Sequence, residues 1–352
     1  MLSSTDLNKI PVKNLYYMLC YAWDHLQEKD FARVAREDEK DIKHLLARIL
    51  LVKLRSLMRR GFYKDYIVLQ EETPTIRGKI LFQESLNAFS FHRARMHCRY
   101  EEMDYDILHN QIIKSTLHTL LQSSELDKSL KDEVLQVYKY FARIRLIELH
   151  HSHFEKIRLH RNNRYYQFVL DICRFLYESL LLHEVRSGEE TFADFDRNPR
   201  AMARLFEEFV RRFYKYEAHL YRVYRENIYW DAEGDDLSYL PIMQTDISLE
   251  NKERKIIIDT KYYRQTLREH RGAEKLASEN LYQLFAYLNN VKKEHKPVLG
   301  ILLYPTTGKE LNLSYHLKEY PVHIYTVNLN RHWHYIHKRL LTIINQWDKG
   351  TG

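Results

Sequence analysis

The feature that most constrains the fold is a buried strand that ends on charged residues. Residues 254–263 read RKIIIDTKYY, so three consecutive isoleucines lead directly into Asp259, Thr260 and Lys261. A second strand-like run, YLPIMQTDISLE at 239–250, precedes it and carries Asp246. The polar residues NKER, three of them charged, separate the two runs, and this pattern predicts a hairpin that turns through residues 250–254.

Helical and strand patterns alternate through the second half of the chain. Helices are predicted over 165–182, 200–221, 278–291 and 331–347, and further short strands over 297–305 and 321–329. The hairpin falls between the second and third of these helices. This order predicts an α/β domain with a mixed central sheet flanked by helices.

The first half predicts a different, α+β domain. Helices are expected over 15–26, 40–60, 104–123 and 125–147, and residues 65–85 are expected to form a strand, a turn and a second strand. The polar stretch IRLHRNNRYYQF at 157–168 is typical of a junction. We therefore place a boundary near residue 160, which gives an N-terminal domain, 1–160, and a C-terminal domain, 161–352.

Charge and cysteine content narrow the class of protein. Lys and Arg total 55 against 48 Asp and Glu, and the net charge of +7 favours a polyanionic partner, because neutralised phosphates release counterions. The three cysteines, Cys20, Cys98 and Cys173, form no C-x-x-C pair, which disfavours a zinc ribbon or a disulfide framework. No signal-peptide core or membrane-length apolar run occurs, so we expect a soluble cytoplasmic protein without membrane contact.

The predicted hairpin would assemble a site for a hard metal ion. Side chains alternate along a strand, so Asp259 and Lys261 project from one face, and the hairpin can bring Asp246 beside them. Two carboxylates and a backbone carbonyl, here that of Thr260, suit Mg²⁺, which takes few protein ligands and keeps several waters. A neighbouring ammonium can orient a water and stabilise charge on a phosphate. The pattern therefore predicts Mg²⁺-dependent phosphodiester hydrolysis.

The spacing of these three residues, D-x₁₂-D-x-K, resembles the PD-(D/E)-x-K nuclease superfamily. Thr245 stands where the superfamily name has its proline, a scaffold position and not a ligand. The resemblance implies a restriction-endonuclease-like C-terminal domain in which Asp246, Asp259 and Lys261 are catalytic.

Two further matches imply accessory residues. The segment NLYQLFAYL carries Gln283 and Tyr287 in the Q-x₃-Y arrangement of RecB-like members of the superfamily. The segment RLFEEFV places Glu207 where related nucleases often have an additional acidic residue, although Glu208 is adjacent. Gln283 and Tyr287 are equally well explained as structural residues on one helix face.

Longer motifs resemble one family within the superfamily. They are IPVKNLYYMLCYAW, RGKILF, TDI, IIIDTKYY, EKLASENLYQLFAYL and LLYP, in matching order over nearly the whole chain. The set is similar to McrC, the nuclease-subunit family of McrBC modification-dependent restriction systems. The resemblance implies a DNA-cleaving subunit that works with McrB, a GTP-driven AAA+ ring that recognises methylated cytosine in DNA. It also implies an N-terminal domain that inserts into the ring and stimulates GTP hydrolysis.

The chain itself has no P-loop, which fits this division of labour. No G-x₄-G-K-[ST] motif occurs, so we expect GTP to be bound by the partner and not by this chain. The bend of the 65–85 hairpin, with Arg77 and Lys79, is our candidate docking element. Cutting both strands of double-stranded DNA requires two active sites, so we expect at least two copies in the working complex.

Other basic groups have competing explanations. Arg264, Arg268 and Arg271 follow the catalytic strand and would suit a clamp on the DNA backbone, but a charged surface loop explains them nearly as well. A cluster of histidines suggests zinc, yet no cysteine accompanies it and a solvated face is favoured; its members are His150, His151, His153 and His160.

Two alternative functions stay open at this point. One is a stand-alone RecB-like or Cas4-like nuclease, although the missing cysteine cluster disfavours a Cas4-like protein and the additional N-terminal domain favours docking. The other is a non-catalytic adaptor that only activates a GTPase. The adaptor predicts no Mg²⁺-dependent cleavage and no effect of Asp246→Ala.

Overall fold

The chain forms two compact units that differ from the expected domains. The computed structural model describes residues 10–28, 41–184, 199–262, 268–270, 273–291, 296–308 and 310–347. The first unit combines Met1–Ile42 with Asp194–Gly352, and the second is Lys43–Ala193. The boundary expected near residue 160 therefore falls inside the second unit, and the N-terminal segment belongs with the C-terminal part of the chain.

Helices and strands are numbered along the described residues. The helices are α1 (Val12–Ala22), α2 (Ile42–Arg60), α3 (Phe82–Asn87), α4 (Leu108–Gln122), α5 (Lys128–Tyr138), α6 (His151–Glu155), α7 (Gln167–Glu184), α8 (Pro199–Glu217), α9 (Ser278–Asn290) and α10 (Trp333–Asn345). The strands are β1 (Asp65–Thr73), β2 (Lys79–Ile80), β3 (Met96–Asp104), β4 (Arg222–Tyr224), β5 (Asn227–Ile228), β6 (Met243–Gln244), β7 (Ile247–Glu250), β8 (Lys255–Thr260), β9 (Arg268–His270), β10 (Ala273–Lys275), β11 (Val298–Thr306), β12 (Asn312–Leu317) and β13 (Tyr320–Asn328).

A mixed sheet organises the first unit. Its six strands lie in the order β12-β13-β11-β8-β7-β4 within the described chain. Strand β8 pairs in parallel with β11 and antiparallel with β7, with Ile258 opposite Ile247. The predicted hairpin and the predicted α/β class with a mixed sheet and flanking helices are thus confirmed.

Apolar composition explains why β8 lies inside this sheet. All six of its residues are buried, as expected of a strand covered on both faces. Helix α9 packs on one face, where Gly300 of β11 allows a close approach. A Cβ atom at Gly300 would lie 2.9 Å from Leu288 Cδ1 and 3.0 Å from Leu284 Cδ2, so a larger residue would push the helix away.

Aromatic packing attaches α1 to α8 within the same unit. The Tyr21 ring lies 5.6 Å from that of Phe209 and 5.3 Å from that of Phe213, distances typical of favourable aromatic pairs. The Tyr21 hydroxyl also donates to Glu217 Oε1 at 2.7 Å. These contacts join segments far apart in sequence. The polarity of residues 157–168 carries no signal of such contacts, which explains why the expected boundary near residue 160 differs from the boundaries of the compact units.

The second unit contains an antiparallel sheet in the order β1-β3-β2. The expected hairpin of residues 65–85 is wrong, because β1 and β2 do not pair with each other but flank β3, with Asp65 opposite Asp104 and Lys79 opposite Arg99. Strand β3 reads MHCRYEEMD, and it was not predicted because polar residues interrupt its apolar pattern. Gly78 adopts a φ of +62° between the segments, as a left-handed turn requires.

Most other predicted elements are present. The helices expected over 200–221, 278–291 and 331–347 correspond to α8, α9 and α10, and the strands expected over 297–305 and 321–329 to β11 and β13. No described helix is both long enough and apolar enough to cross a membrane. The cysteines at 20, 98 and 173 are buried free thiols.

Candidate active site

Asp246 lies at the junction of β6 and β7 and is fixed by the neighbouring strand. The backbone N–H of Thr260 donates to Asp246 Oδ2 at 2.7 Å, and the Thr260 hydroxyl donates to the same oxygen at 2.9 Å. Two donors on one carboxylate oxygen hold the side chain in a single orientation. The hairpin thus brings the first predicted carboxylate to the end of β8, as expected.

Asp259 is a completely buried carboxylate with few compensating contacts. Its exposed fraction is 0%, and neither oxygen accepts a well-oriented hydrogen bond from the described residues. Lys261 Nζ forms an ion pair with Oδ2 at 2.9 Å. Burial raises the pKa of Asp259 to about 7, and the negative charge of Asp246 adds to the effect while Lys261 opposes it. A buried carboxylate with a strongly raised pKa is a common sign of a functional site.

A chain of hydrogen bonds fixes Lys261. Its ammonium donates to Gln283 Oε1 at 2.8 Å, and Gln283 Nε2 donates to the Tyr287 hydroxyl at 2.6 Å. The Tyr287 hydroxyl donates to the backbone carbonyl of Gln244 at 3.0 Å. Burial raises the pKa of Tyr287 to about 12, so this hydroxyl keeps its proton at neutral pH. The predicted Q-x₃-Y pair therefore lies at the site and links the lysine to β6.

Glu207 of α8 belongs to the same electrostatic cluster. Arg225 Nη2 donates to Glu207 Oε1. Burial raises the pKa of Glu207, and the charge of Asp246 raises it further against the opposing effect of Arg225. The charge of Glu207 in turn contributes to the raised pKa of Asp259. Three carboxylates thus repel one another at this end of the sheet.

The donor set fits a hard divalent cation. Two carboxylates from neighbouring strands converge beside Thr260, and Asp259 Oδ1 accepts no hydrogen bond from the described residues. Among the described residues, no three His, Cys, Asp or Glu side chains are arranged to hold an ion together. An ion that accepts few protein ligands and retains water, such as Mg²⁺, matches this set better than Zn²⁺ does.

Sequence comparisons agree with the motifs. The model of the family described as "McrBC 5-methylcytosine restriction system component" matches residues 3–305. The chain belongs to this family. It is 33% identical over 344 residues to the Escherichia coli (strain K12) protein described as "Type IV methyl-directed restriction enzyme EcoKMcrBC", covering 97% of this chain and 99% of that protein. The resemblance inferred from the motifs is confirmed.

A structural comparison shows the same fold. A chain in the Thermococcus gammatolerans structure described as a half-complex from a tetradecameric assembly of McrB AAA+ hexamers with bound McrC aligns with a TM-score of 0.57 at 18% identity. The alignment covers 95% of this chain and 76% of that chain. At 18% identity, this similarity shows a common fold only.

The remaining predicted site residues are all basic. Arg264 and Arg271 lie outside the described residues, and Arg268 begins β9, of which the backbone alone is described. Arg77 and Lys79 are in the second unit, where the Arg77 guanidinium lies 5.7 Å from the Tyr100 ring centroid and Lys79 starts β2. The first unit therefore contains the assembled site, and these basic residues stay predictions.

The histidine cluster has a structural explanation. His150 and His153 cap the start of α6 through reciprocal hydrogen bonds, and His151 contacts Glu155 and Glu178. The imidazoles of His151, His153 and His160 are thus engaged in local contacts, which supports the solvated-face interpretation over a zinc site.

Sequence reasoning missed Arg225, which contacts Glu207 at the edge of the cluster. It lies in YRVYRENIYW, a segment with too short a strand pattern to predict pairing, where the structure has only β4 and β5. Its position relative to Asp246 follows from strand register, which the sequence does not display.

Proposed function

We propose that this chain is the DNA-cleaving subunit of a GTP-dependent restriction endonuclease specific for modified cytosine. The observation that carries the proposal is the pair Asp246 and Asp259 on neighbouring strands, the second fully buried and ion-paired with Lys261 at 2.9 Å. Family membership and the hairpin geometry support assignment of the first unit to the PD-(D/E)-x-K superfamily.

Mg²⁺ would be held by Asp246, Asp259 and the backbone carbonyl of Thr260. When bound, the ion would polarise the phosphate and lower the pKa of water next to it. The hydrogen bonds from Thr260 to Asp246 fix one ligand before the ion arrives, which reduces the entropy lost on binding.

Lys261 lies where an ammonium group can assist hydrolysis beside the bound ion. Its ammonium is held between Asp259 and Gln283, so it can orient the attacking water and stabilise the charge that develops on the phosphate. The water oxygen forms the new bond to phosphorus and gives up one proton to solvent, while the bond to the departing sugar oxygen breaks and that oxygen takes up a proton from solvent. Gln283 and Tyr287 are positioning residues, because they act on the reaction through Lys261.

The partner in this proposal is an McrB-like AAA+ GTPase ring that binds GTP and recognises modified cytosine in double-stranded DNA. The related Thermococcus structure is described as McrB hexamers with bound McrC, which supports the same kind of partner here. The second unit, with Arg77 and Lys79, would dock on the ring and stimulate its GTP hydrolysis. At least two copies of this chain would act together, since each active site cuts one strand.

The test is cleavage of a methylated plasmid with Mg²⁺, GTP and the AAA+ partner. We expect wild type to cut only in the complete mixture, and Asp246→Ala, Asp259→Asn and Lys261→Ala to abolish cutting while still assembling. Glu253→Gln is the matched control, because this carboxylate is 69% exposed at the opposite end of the same hairpin.

The outcomes separate the alternatives. Cutting by the chain alone would indicate a stand-alone nuclease. No cutting under any condition, with GTP hydrolysis still stimulated in the partner, would indicate the non-catalytic adaptor. Equal cutting by wild type and Asp259→Asn would refute the assigned site.

A further inference from the structure

The register of the short strands beside the site reveals a β-bulge at Asp246. Between β5 and β6, Asn227 pairs with Gln244. Between β4 and β7, Tyr224 pairs with Ser248. Two residues, 225 and 226, therefore separate the paired positions on one side, whereas three residues, 245 to 247, separate them on the other. The additional residue is a bulge, a device that often redirects side chains next to active sites.

Hydrogen bonds define which residues face each other in the bulge. The Thr245 N–H donates to the Glu226 carbonyl at 3.0 Å, and the Glu226 N–H donates to the Thr245 hydroxyl at 3.0 Å. Glu226 is therefore opposite Thr245. The next residue back, Arg225, is opposite Asp246 and Ile247, so the register places the backbone of this arginine directly across from a catalytic carboxylate.

Side-chain contacts then determine the direction of Arg225. The Glu226 carboxylate accepts from Lys255 Nζ at 2.7 Å and from the Ser248 hydroxyl at 3.3 Å. Adjacent residues of an extended chain point to opposite sides, so Arg225 points away from that pair and meets Glu207 of α8. Arg225 thus meets the carboxylate cluster at Glu207, on α8.

Lys261 approaches the same carboxylates from the α9 side, through its contact with Gln283. The two cations thus contact different members of the cluster, Arg225 at Glu207 and Lys261 at Asp259. Three carboxylates exceed two cations by one negative charge, and a bound divalent ion would make the cluster positive, as a site for a phosphodiester requires. An arginine at its edge supplies planar N–H donors that match phosphate oxygens.

We propose that Arg225 binds a backbone phosphate of DNA beside the cleaved bond, and that Glu207 holds the guanidinium ready until the DNA arrives. The inference rests on the proposed function, since it assumes DNA at this site. The Arg225 side chain is 38% exposed, so a phosphate can reach it without unfolding the sheet. Glu207 is thereby a positioning residue for the arginine and not a metal ligand.

The experiment measures DNA binding as a function of salt concentration. The full chain with its AAA+ partner and GTP is titrated with a methylated duplex, with Ca²⁺ in place of Mg²⁺ so that binding is measured apart from cleavage. We expect Arg225→Gln to weaken binding about 10-fold and to reduce the slope of log K against log salt by about 1, as loss of one phosphate contact does. Arg225→Lys should restore the slope, because it retains the charge.

The control variant is Lys252→Ala, which removes an exposed positive charge in the turn at the far end of the β7–β8 hairpin. It should bind with the wild-type slope. An unchanged slope for Arg225→Gln, or an equal loss for Lys252→Ala, overturns the proposal. Thermal unfolding of each variant verifies that a change in slope arises from an intact fold.

Binding and cleavage can fail separately. If Arg225→Gln loses the phosphate contact but wild type never cuts DNA with Mg²⁺, the binding role stands and the hydrolysis is wrong. If wild type cuts and Arg225→Gln binds and cuts equally well, the proposed function stands and the role of Arg225 is wrong.

Discussion

Replacing Asp259 with asparagine should stabilise the metal-free protein while it abolishes cleavage. The carboxylate has an exposed fraction of 0%, and its pKa is raised from 3.8 to about 7. An upward shift of this size corresponds to at most about 4 kcal/mol of destabilisation once the folded-state carboxylate is ionised, at about 1.4 kcal/mol per pKa unit. A neutral amide of nearly the same shape avoids that cost.

The stability gained by Asp259→Asn should increase as the pH rises. Below pH 3.8 the carboxyl is protonated in both the folded and the unfolded chain, so it imposes no penalty. The unfolded form ionises first as the pH rises, so the penalty grows until the folded form also ionises near pH 7 and then stays constant. The advantage of Asp259→Asn should therefore be largest at pH 8 and less than half as large at pH 5.

The assay is urea unfolding in EDTA at both pH values, with Glu253→Gln as a control for loss of an exposed carboxylate. Adding Mg²⁺ at pH 8 should raise the unfolding midpoint of wild type and leave that of Asp259→Asn unchanged, because a ligand stabilises only the form that binds it. The reasoning is refuted if the variant is no more stable than wild type in EDTA at pH 8, or if the difference is the same at pH 5.

Three further predictions concern the ion, the hydrogen-bond chain and the sheet. Mg²⁺ binding should release roughly three-quarters of a proton from Asp259 at pH 6.5 and almost none at pH 8.5. Calorimetry in buffers of different ionisation enthalpy measures the number of protons released. Equal release at both pH values would contradict this prediction. Tyr287→Phe removes the hydroxyl that links β6 to Gln283. It should slow single-turnover cleavage about 10-fold and lower the free energy of unfolding by about 1 kcal/mol. Tyr282→Phe, at a 72% exposed residue of the same helix, should cut normally. Gly300→Ala should destabilise the first unit by about 1–3 kcal/mol in urea unfolding because α9 must shift, and Gly308→Ala, which has no neighbour within 4 Å, should have the smaller effect.

The hairpin that carries Asp246 and Asp259 was predictable because its signals are local. The apolar run before Asp259 predicts burial, the alternation of a strand places Lys261 on the same face, and three consecutive charged residues mark the turn. The Gln283–Tyr287 spacing could likewise be recognised on one helix, although its connection to Lys261 needed the structure.

Long-range pairing was not predictable in the same way. Strand β3 is polar enough to resemble a loop, so its insertion between β1 and β2 left no apolar signal. Strand β12 has the burial pattern of an edge strand, mostly exposed, and was missed for the same reason. The position of Arg225 depends on one additional residue in a bulge, and a shift of one residue in register has no counterpart in composition or periodicity.

The association of α1 with α8 has a consequence for synthesis of the protein on the ribosome. Because chains fold from the N-terminus as they emerge, α1 must wait for its aromatic partners while the whole of Lys43–Ala193 is translated. The second unit can be complete before the first has its sheet. A nascent chain that ends before Thr260 therefore lacks the hairpin that bears Asp246 and Asp259, so the order of translation delays assembly of the candidate site.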